Sequence, residues 1–373
     1  MRIALDARLT HYSSGGITEY IRQLAGRLPA LDRQNDYLIL HARKAAKPLP
    51  VPANARVVKC FTPAHHPLER GTLTIELLPR RVHMLHSPDF IAPHGGAWHS
   101  VITIHDLTFL RFPNFLTPES HHYYNRQIKA AVRRADAILV DSNATRSDVL
   151  ELLRVHPDKV TTVHLAVDER FYPQPDEVVA STCARLELPR HYLLFVGTFE
   201  PRKNIPTLLH AYAELRASYA DTPPLLLVGN PGWMFENTNT LLDELRLRSD
   251  VTFRSSFPPA DLPALYSGAI ALILPSHYEG FGFPVLEAMS CGTATIISDR
   301  ASLPEIAGDA ALTCEPDHPE SITDAMSRIL FDDEMRVSLE QKGLQRAREF
   351  SWETCCAQTL EIYRRVLDQP QSI

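Results

Sequence analysis

The residues whose types and spacing suggest chemistry lie in two stretches of the second half of the chain. The first reads Gly-Thr-Phe-Glu-Pro-Arg-Lys-Asn, from Gly197 to Asn204, and places Arg202 and Lys203 at the predicted start of a helix. An arginine fork, a lysine charge and a helix N-terminus all bind anions, so this stretch predicts a diphosphate site. A solvated surface pair is the alternative, but the glycine that ends the preceding predicted strand favours the functional interpretation.

The second stretch, residues 275–292, reads Pro-Ser-His-Tyr-Glu-Gly-Phe-Gly-Phe-Pro-Val-Leu-Glu-Ala-Met-Ser-Cys-Gly. A buried strand is predicted before it and a helix within it, with a glycine loop between them that allows the backbone to lie against a ligand. The backbone amides expected to assist binding are those of Gly280, Phe281, Gly282 and Phe283.

Two carboxylates frame this loop. Glu279 precedes the predicted helix and Glu287 lies about one turn inside it. An acid beside a phosphate site is expected to bind uncharged groups nearby, and sugar hydroxyls are the obvious candidates, so the stretch predicts a nucleotide-sugar pocket. The alternatives are that Glu279 only caps the helix and that Glu287 is an ordinary helix-face acid.

Weaker signals lie in the first half. Gly15 and Gly16 precede a predicted helix and could approach a phosphate, although a plain strand-to-helix turn is the alternative. His105 follows a predicted central strand at its carboxyl end, where ligands gather in open α/β sheets. A histidine packed under a loop is the alternative for that position.

The elements that must position these residues alternate between apolar strands and helices, which predicts an α/β fold with two doubly wound, Rossmann-like halves and a ligand cleft between them. A proline-rich break separates the halves. The predicted parts are an acceptor-side domain over 1–170, a linker over 171–190, a nucleotide-sugar domain over 191–350 and a terminal segment over 351–373.

Composition narrows the function classes. The 373 residues are 45% hydrophobic and 22% charged, with six cysteines that show no Cys-x-x-Cys pairing. No apolar run is long enough for a membrane span, and an acid interrupts the amino terminus where a signal peptide needs apolar residues. We therefore expect a cytoplasmic protein with reduced thiols, and no nucleic-acid partner.

Charge is divided unevenly along the chain. Residues 1–170 hold 22 Lys and Arg against 16 Asp and Glu, a net +6, whereas the remainder carries a net −12. Unequal solvated faces are the plain interpretation. The sharper interpretation is that the first half, with Arg80, Arg81 and the His65-His66 loop, faces an anionic acceptor or a membrane surface, as a peripheral protein at the inner face of the membrane would.

Taken together, these segments resemble the family 4 glycosyltransferases. Residues 197–204 resemble the family's G-x-x-x-x-R-K-N signature, and residues 279–287 resemble its E-x7-E motif. Further segments in the expected order are Gly15-Gly16, His105-Asp106, Asp141–Thr145 and Ser298–Gly308. Residues 229–233, Gly-Asn-Pro-Gly-Trp, are similar to the mannosyltransferase branch that builds bacterial surface polysaccharides.

The resemblance implies a GT-B fold, in which the last helix crosses back to the first domain, and a retaining transfer of a hexose from a nucleoside-diphosphate sugar, with GDP-mannose the best candidate. It implies a glycan or lipid-linked acceptor and no essential metal, and the chain has no Asp-x-Asp motif to hold one.

The roles of the residues follow from the family resemblance together with the chemistry of their side chains. Arg202 and Lys203 would stabilise the charge on the leaving diphosphate, assisted by the amides of residues 280–283 and of Gly16. Glu287 would hold the ribose, Glu279 would bind the donor sugar and stabilise an oxocarbenium-like state, and His105 would position the sugar. The leaving phosphate would accept the acceptor's proton in a front-face attack.

Three rival functions remain open at this point. A nucleotide-sugar epimerase or hydrolase of the same architecture would consume its donor without an acceptor. A non-catalytic nucleotide-sugar binder would be expected to have lost a carboxylate or the histidine. A nicotinamide-dependent oxidoreductase would need Gly-x-Gly-x-x-Gly, which neither half contains.

Overall fold

The computed structural model describes the chain except for a few short segments, namely residues 13–14, 46, 48, 116–117, 232–234, 256–257 and 370–373, and the side chains of residues 118–122 and 235–237. The end of the Gly229–Trp233 segment therefore lies outside the described residues. The chain forms two compact units, Met1–Leu165 with Ser351–Ile373 (unit 1) and Ala166–Phe350 (unit 2).

Unit 1 is built on a parallel sheet of seven strands in the order β3-β2-β1-β4-β5-β6-β7. The strands are β1 (Arg2–Asp6), β2 (Asp36–Ala42), β3 (Ala55–Cys60), β4 (Val82–Ser87), β5 (Ala97–Ile104), β6 (Ala137–Val140) and β7 (Val160–Thr162). The helices between them are α1 (Gly16–Leu31), α2 (Glu69–Leu77), α3 (Thr108–Arg111), α4 (Pro118–Arg134) and α5 (Asn143–Leu153). The strand order reverses between β1 and β4, which makes that point the topological switch point where ligands bind in such sheets.

Unit 2 has a parallel sheet of six strands in the order β10-β9-β8-β11-β12-β13, with its switch point between β8 and β11. The strands are β8 (Tyr192–Val196), β9 (Leu225–Val228), β10 (Val251–Arg254), β11 (Ala269–Leu274), β12 (Ala294–Ser298) and β13 (Leu312–Cys314). The helices are α6 (Asp176–Arg185), α7 (Ile205–Ser218), α8 (Phe235–Glu244), α9 (Leu262–Ser267), α10 (Phe283–Ser290), α11 (Leu303–Ala307), α12 (Pro319–Phe331) and α13 (Asp333–Ala347).

The last helix, α14 (Trp352–Leu367), returns to unit 1 after the chain has completed unit 2. Ser351 caps it, with the side-chain oxygen accepting from the Thr354 amide at 3.1 Å. Its outer side forms an ion pair between Glu353 and Arg27 of α1 at 2.6 Å. Its inner, buried face is mostly apolar and includes Trp352, Cys355, Cys356, Leu360, Tyr363 and Val366.

The structure corrects the expected linker. Residues 171–190 contain α6 and belong to unit 2. The prolines that suggested a break, at 173, 175 and 189, lie on either side of α6. Val179 and Cys183 of α6 are buried, and Arg185 pairs with Asp261 at 2.8 Å. The apolar face of α6 therefore outweighs the proline signal.

The cysteines and the lengths of the helices can also be compared with the predictions. The six cysteines are all free and buried. Within the described parts of the chain, every helix is either too short or too polar to cross a bilayer.

Candidate active site

The predicted diphosphate residues lie at the switch point of unit 2. β8 and β11 are neighbours in the sheet, so the loops at their carboxyl ends meet. The loop after β8 carries Arg202 and Lys203 in a short 3-10 turn, Pro201–Lys203, just before α7. The sequence pattern had placed both residues at the start of the helix itself. The loop after β11 carries Glu279, and the His277 amide donates to the Arg202 carbonyl at 2.8 Å.

Glu279 holds both cations. Its Oε2 lies 2.5 Å from Arg202 Nη1, and its Oε1 accepts from Lys203 Nζ and, at 2.8 Å, from the Ser276 hydroxyl. The Glu279 residue is only 6% exposed. Burial alone would raise the pKa of this carboxyl, but the charges of Arg202 and Lys203 outweigh it and hold the pKa at about 2.

This geometry gives Glu279 a role that the sequence did not suggest. Because both of its oxygens contact cations, the carboxylate fixes where the two positive groups point. Arg202 is further positioned by Glu200, whose Oε2 lies 2.8 Å from Arg202 Nε. The result is a pre-formed pair of cations at the carboxyl edge of the sheet, the arrangement that stabilises a leaving diphosphate with least reorganisation. Direct binding of a sugar hydroxyl by Glu279 stays a prediction.

At two positions of the predicted site the structure explains why the residue is glycine, and the two explanations differ. A side chain at Gly197 would come within 3.3 Å of Lys203 Cε, so this glycine makes room for the lysine stem. Gly282 has φ of +110° at the N-terminus of α10, a conformation that favours glycine. The loop before it is held by Ser302, whose hydroxyl oxygen lies 2.8 Å from the carbonyl oxygens of Glu279 and Phe281.

Glu287 is separate from this cation cluster. It lies half-buried on α10, and the Tyr266 hydroxyl donates to its Oε2 at 2.6 Å. The two carboxylates of the E-x7-E motif thus differ in environment, one neutralised by cations and the other bonded by a neutral phenol.

This difference predicts different mutant profiles. Glu287→Ala should weaken binding of the free nucleotide and of the donor alike, by about 10-fold or more, because hydrogen bonds to a charged group contribute about 1.5–3 kcal/mol. Glu279→Gln should lower turnover more than it lowers free-nucleotide affinity, because Arg202 and Lys203 keep their charges but lose the carboxylate that orients them. Tyr266→Phe, which removes only the support of Glu287, is the matched control and should have a smaller effect. Calorimetry and initial rates check this, and identical profiles for the two carboxylate variants would contradict it.

In unit 1, His105 follows β5 and Asp141 follows the neighbouring strand β6. The register pairs Ile104 with Val140, which places His105 opposite Asp141. His105 Nδ1 lies 2.6 Å from Asp141 Oδ2, and Nε2 lies 2.8 Å from the Pro88 carbonyl oxygen.

Both ring nitrogens of His105 therefore face groups that only accept hydrogen bonds, so the doubly protonated imidazolium fits the site. Burial favours the neutral ring, but the charge of Asp141 and its hydrogen bond outweigh burial and raise the pKa of His105 to about 9. The geometry and the raised pKa both favour a proton on each nitrogen of His105, a form that has no lone pair with which to act as a base.

A buried polar chain supports this histidine. The Tyr20 ring packs edge-on against His105, with centroids 5.3 Å apart. Tyr20 Oη lies 3.1 Å from Thr103 Oγ1, which lies 2.8 Å from His86 Nε2, and His86 Nδ1 lies 2.6 Å from Tyr363 Oη of α14. Burial lowers the pKa of His86 to about 3, so it stays neutral in this chain. The returning helix is thereby linked to the site in its own unit.

The remaining predicted residues are Gly15, which precedes α1, and Gly16, its first residue. Unit 2 thus brings together Gly197, Arg202, Lys203 and Glu279, with the 280–283 loop and Glu287 following along the chain. Unit 1 holds Gly15, Gly16 and His105. Among the residues that the structure describes, no group of three or more His, Cys, Asp or Glu side chains is arranged to hold a metal ion.

Sequence reasoning did not assign site roles to Asp141, Tyr266, Ser276 or Ser302. Asp141 was within reach, because it follows a predicted strand as His105 does, but only the sheet order makes the two strands neighbours. Tyr266 and Ser302 form hydrogen bonds with partners 21 and 23 residues away, which no local pattern indicates. Ser276 bonds Glu279 only three residues away, so its serine-to-glutamate spacing was a local signal that could have indicated the pair.

Comparison with known proteins decides the family. The sequence model named Glycosyltransferase Family 4 matches residues 14–171, and that named Glycosyl transferases group 1 matches residues 185–346. O-antigen chain mannosyltransferase B of Escherichia coli is 30% identical to this chain over 98% of its length and 100% of the relative's. The chain belongs to the family 4 glycosyltransferases. The first match includes His105, and the second includes Arg202, Lys203 and both carboxylates.

Further similarities agree with this family 4 glycosyltransferase assignment. Serotype-specific mannosyltransferase WbdA of Escherichia coli is 32% identical over 74% of this chain, a match that spans 34% of WbdA. Sucrose-phosphate synthase from Thermosynechococcus elongatus has a similar fold, with a TM-score of 0.75 and 23% identity over 98% of both chains. The predicted GT-B fold class, with two parallel-sheet α/β domains, is thus confirmed, and the protein is a glycosyltransferase.

Proposed function

We propose that this glycosyltransferase transfers mannose from GDP-mannose to a glycan or lipid-linked acceptor, with retention of anomeric configuration. The observation that carries the proposal is the cation pair Arg202 and Lys203, held by Glu279 at the switch point of unit 2. A diphosphate leaving group needs such charge, and the relatives named mannosyltransferases support mannose as the sugar.

The proposed chemistry assigns each group one task. Arg202 binds the leaving diphosphate with forked hydrogen bonds, and Lys203 adds a point charge. The N-terminus of α10 adds amide donors, and Glu287 holds the ribose hydroxyls. His105, with both nitrogens protonated, positions substrate and does not remove a proton. The acceptor's proton therefore passes to the departing phosphate oxygen as the new glycosidic bond forms on the same face.

A donor screen followed by product analysis tests the proposal. GDP and GDP-mannose should raise the melting temperature more than UDP, ADP and their sugars, because a ligand that binds only the native state stabilises it. The product made from GDP-mannose should carry the α-anomeric linkage of the donor by NMR. A preference for another nucleotide would overturn the donor assignment, and a β-linked product would overturn retention.

Metal independence is a separate prediction. Arg202 and Lys203 already supply the positive charge that Mg²⁺ or Mn²⁺ would supply to a diphosphate, so turnover should persist in EDTA at the rate seen with added metal. The control is a metal-dependent glycosyltransferase treated in parallel. Loss of activity in EDTA that Mg²⁺ or Mn²⁺ restores would contradict this expectation.

Membrane contact through unit 1 is the last part of the proposal. Arg81 is exposed, and Leu78 and Trp98 beside it are 62% and 55% exposed and line the same surface groove. Arg80 is half-buried and donates to the Glu76 carbonyl. Basic and apolar side chains side by side suit an anionic bilayer that carries a lipid-linked acceptor.

We predict that the protein co-sediments with anionic vesicles at low salt and is released as salt rises, because surface attraction is screened. Reversing Arg80 and Arg81 to Glu should weaken vesicle binding by about 30-fold or more, since each basic side chain contributes about 1 kcal/mol, while donor binding stays unchanged. The matched control reverses Arg190 and Arg246, two exposed arginines of unit 2. Wild type that ignores anionic vesicles at low salt would favour a soluble acceptor.

A further inference from the structure

A second polar site lies at the switch point of unit 1. β1 and β4 are adjacent there, with Leu5 paired to His86, so the strand ends Asp6 and Ser87 are neighbours. A small cavity of about 20 Å³ opens at this point, with room for about one water-sized group. Its polar lining consists of Asp6, Arg8, His65, Glu69, Ser87 and Asp89.

Ser87 is the group in this cavity that needs a partner. The residue is 2% exposed, and in the part of the chain that the structure describes its hydroxyl oxygen has no hydrogen-bond partner. A buried polar group without a partner costs about 1–3 kcal/mol, so such groups usually mark a site that a water or a ligand completes.

The other polar groups of the cavity are already engaged with one another. Arg8, 1% exposed, donates to both oxygens of Asp6 at 2.9 and 2.6 Å and to Glu69 at 2.6 Å. His65 donates its amide to Glu69 at 2.6 Å, and its Nε2 lies 2.7 Å from Asp89 Oδ2. This network makes the cavity a rigid, pre-formed feature of the fold.

The charge of the lining selects the class of ligand. Three acidic side chains, on Asp6, Glu69 and Asp89, line the cavity, and their oxygens already contact Arg8 and His65, so an anion would have to displace one of them. An uncharged hydroxyl group fits, because it can donate to a carboxylate oxygen and accept from Ser87. The size of the cavity allows one such group.

The cavity also adjoins the histidine of unit 1. Pro88 contributes to its wall, and the Pro88 carbonyl is the group that His105 Nε2 contacts at 2.8 Å. Ala64 and His65, from the loop expected on sequence grounds to face the acceptor, form another part of the wall.

Building on the proposed transferase function, we propose that this cavity is the subsite for one hydroxyl group of the acceptor sugar, with the Ser87 hydroxyl as its hydrogen-bond donor. Ser87 then determines which hydroxyl pattern the acceptor must present. A sugar that lacks the matching hydroxyl leaves Ser87 unpaired in the complex and binds less well.

The test uses the complete chain and ligand-observed NMR titrations with methyl α-D-mannopyranoside and its monodeoxy analogues. Wild type should bind one deoxy analogue about 5- to 10-fold more weakly than the parent sugar, the effect of one neutral hydrogen bond. Ser87→Ala should bind the parent sugar that much more weakly and no longer discriminate against that analogue. It should fold as well as wild type, since it removes an unpaired hydroxyl.

Two further variants make the test specific. Thr295→Val removes another buried hydroxyl without a described partner, in β12 of unit 2, and should leave mannoside affinity unchanged. Ala64→Leu fills the cavity from its half-buried wall and should abolish discrimination among the deoxy analogues.

Equal mannoside affinity in wild type and Ser87→Ala would overturn the proposal. It would mean that a structural water is the hydrogen-bond partner of the Ser87 hydroxyl. Failure of wild type to bind the mannoside at all would also overturn it. Neither outcome depends on donor turnover, so a failure of the proposed function would appear separately, as absent GDP binding and absent transfer.

Discussion

Replacing both Arg202 and Lys203 by alanine is expected to abolish turnover and to weaken nucleoside-diphosphate binding by about 100-fold or more. Each charge-assisted hydrogen bond to a phosphate contributes about 1.5–3 kcal/mol, and the double variant removes at least two of them. Calorimetric titration with GDP measures the loss. Unchanged affinity in the double variant would refute the assignment of this pair as the diphosphate site.

The same substitution has a structural consequence that needs its own control. Without the two cations, Glu279 is left buried and uncompensated, and removing the partners of a buried charge destabilises a fold by about 3–5 kcal/mol. Adding Glu279→Gln to the double variant should restore most of the free energy of unfolding without restoring GDP binding. This triple variant separates a lost binding site from a damaged fold.

Asp141→Asn should cause the second large effect, through the charge state of His105. Without the carboxylate, the buried imidazole loses its main stabilising charge, and its pKa should fall from about 9 to below its ordinary 6.5. The rate of the variant should fall as pH rises through the new pKa, and at neutral pH it should lie below that of wild type by about 10-fold for each unit by which the new pKa lies below 7.

The sign of the stability effect follows from the same pKa. A raised pKa means that the His105 interaction stabilises the fold fully below pH about 6.5 and that this contribution is lost as pH rises through about 9. Urea titrations of wild type and His105→Gln should therefore differ most at pH 6 and converge above pH about 9. NMR titration of the His105 ring gives the pKa directly, and equal ring pKa values in wild type and Asp141→Asn would contradict the account.

The sequence could predict those features that are local. Neighbouring residues in the sequence are enough to identify the apolar strands, the glycine loop of residues 280–283 and the cations at 202 and 203. The structure places Arg202, Lys203 and Glu279 in one cluster, as the positions of their loops suggested. The direct contact of Glu279 with both cations was not predicted, because the sequence assigned the carboxylate to the sugar and the cations to the phosphate.

What the sequence could not supply depends on which strands become neighbours. Asp141 approaches His105 only because β6 lies beside β5, and Ser87 approaches Asp6 only because β4 lies beside β1. The linker was predicted wrongly for a related reason. Proline content is a local signal, whereas the burial of Val179 and Cys183 in α6 depends on packing that sequence spacing does not reveal.

Acceptor dependence of donor consumption tests the central claim most directly. The purified chain, in EDTA, is incubated with GDP-mannose with and without a mannose-terminated oligosaccharide, and GDP and product masses are followed. The account predicts GDP release only with the acceptor, one hexose added per GDP, and no release by the variant lacking Arg202 and Lys203. GDP-mannose consumed equally without acceptor would contradict it and indicate a hydrolase or epimerase, and binding without any consumption would indicate a non-catalytic binder.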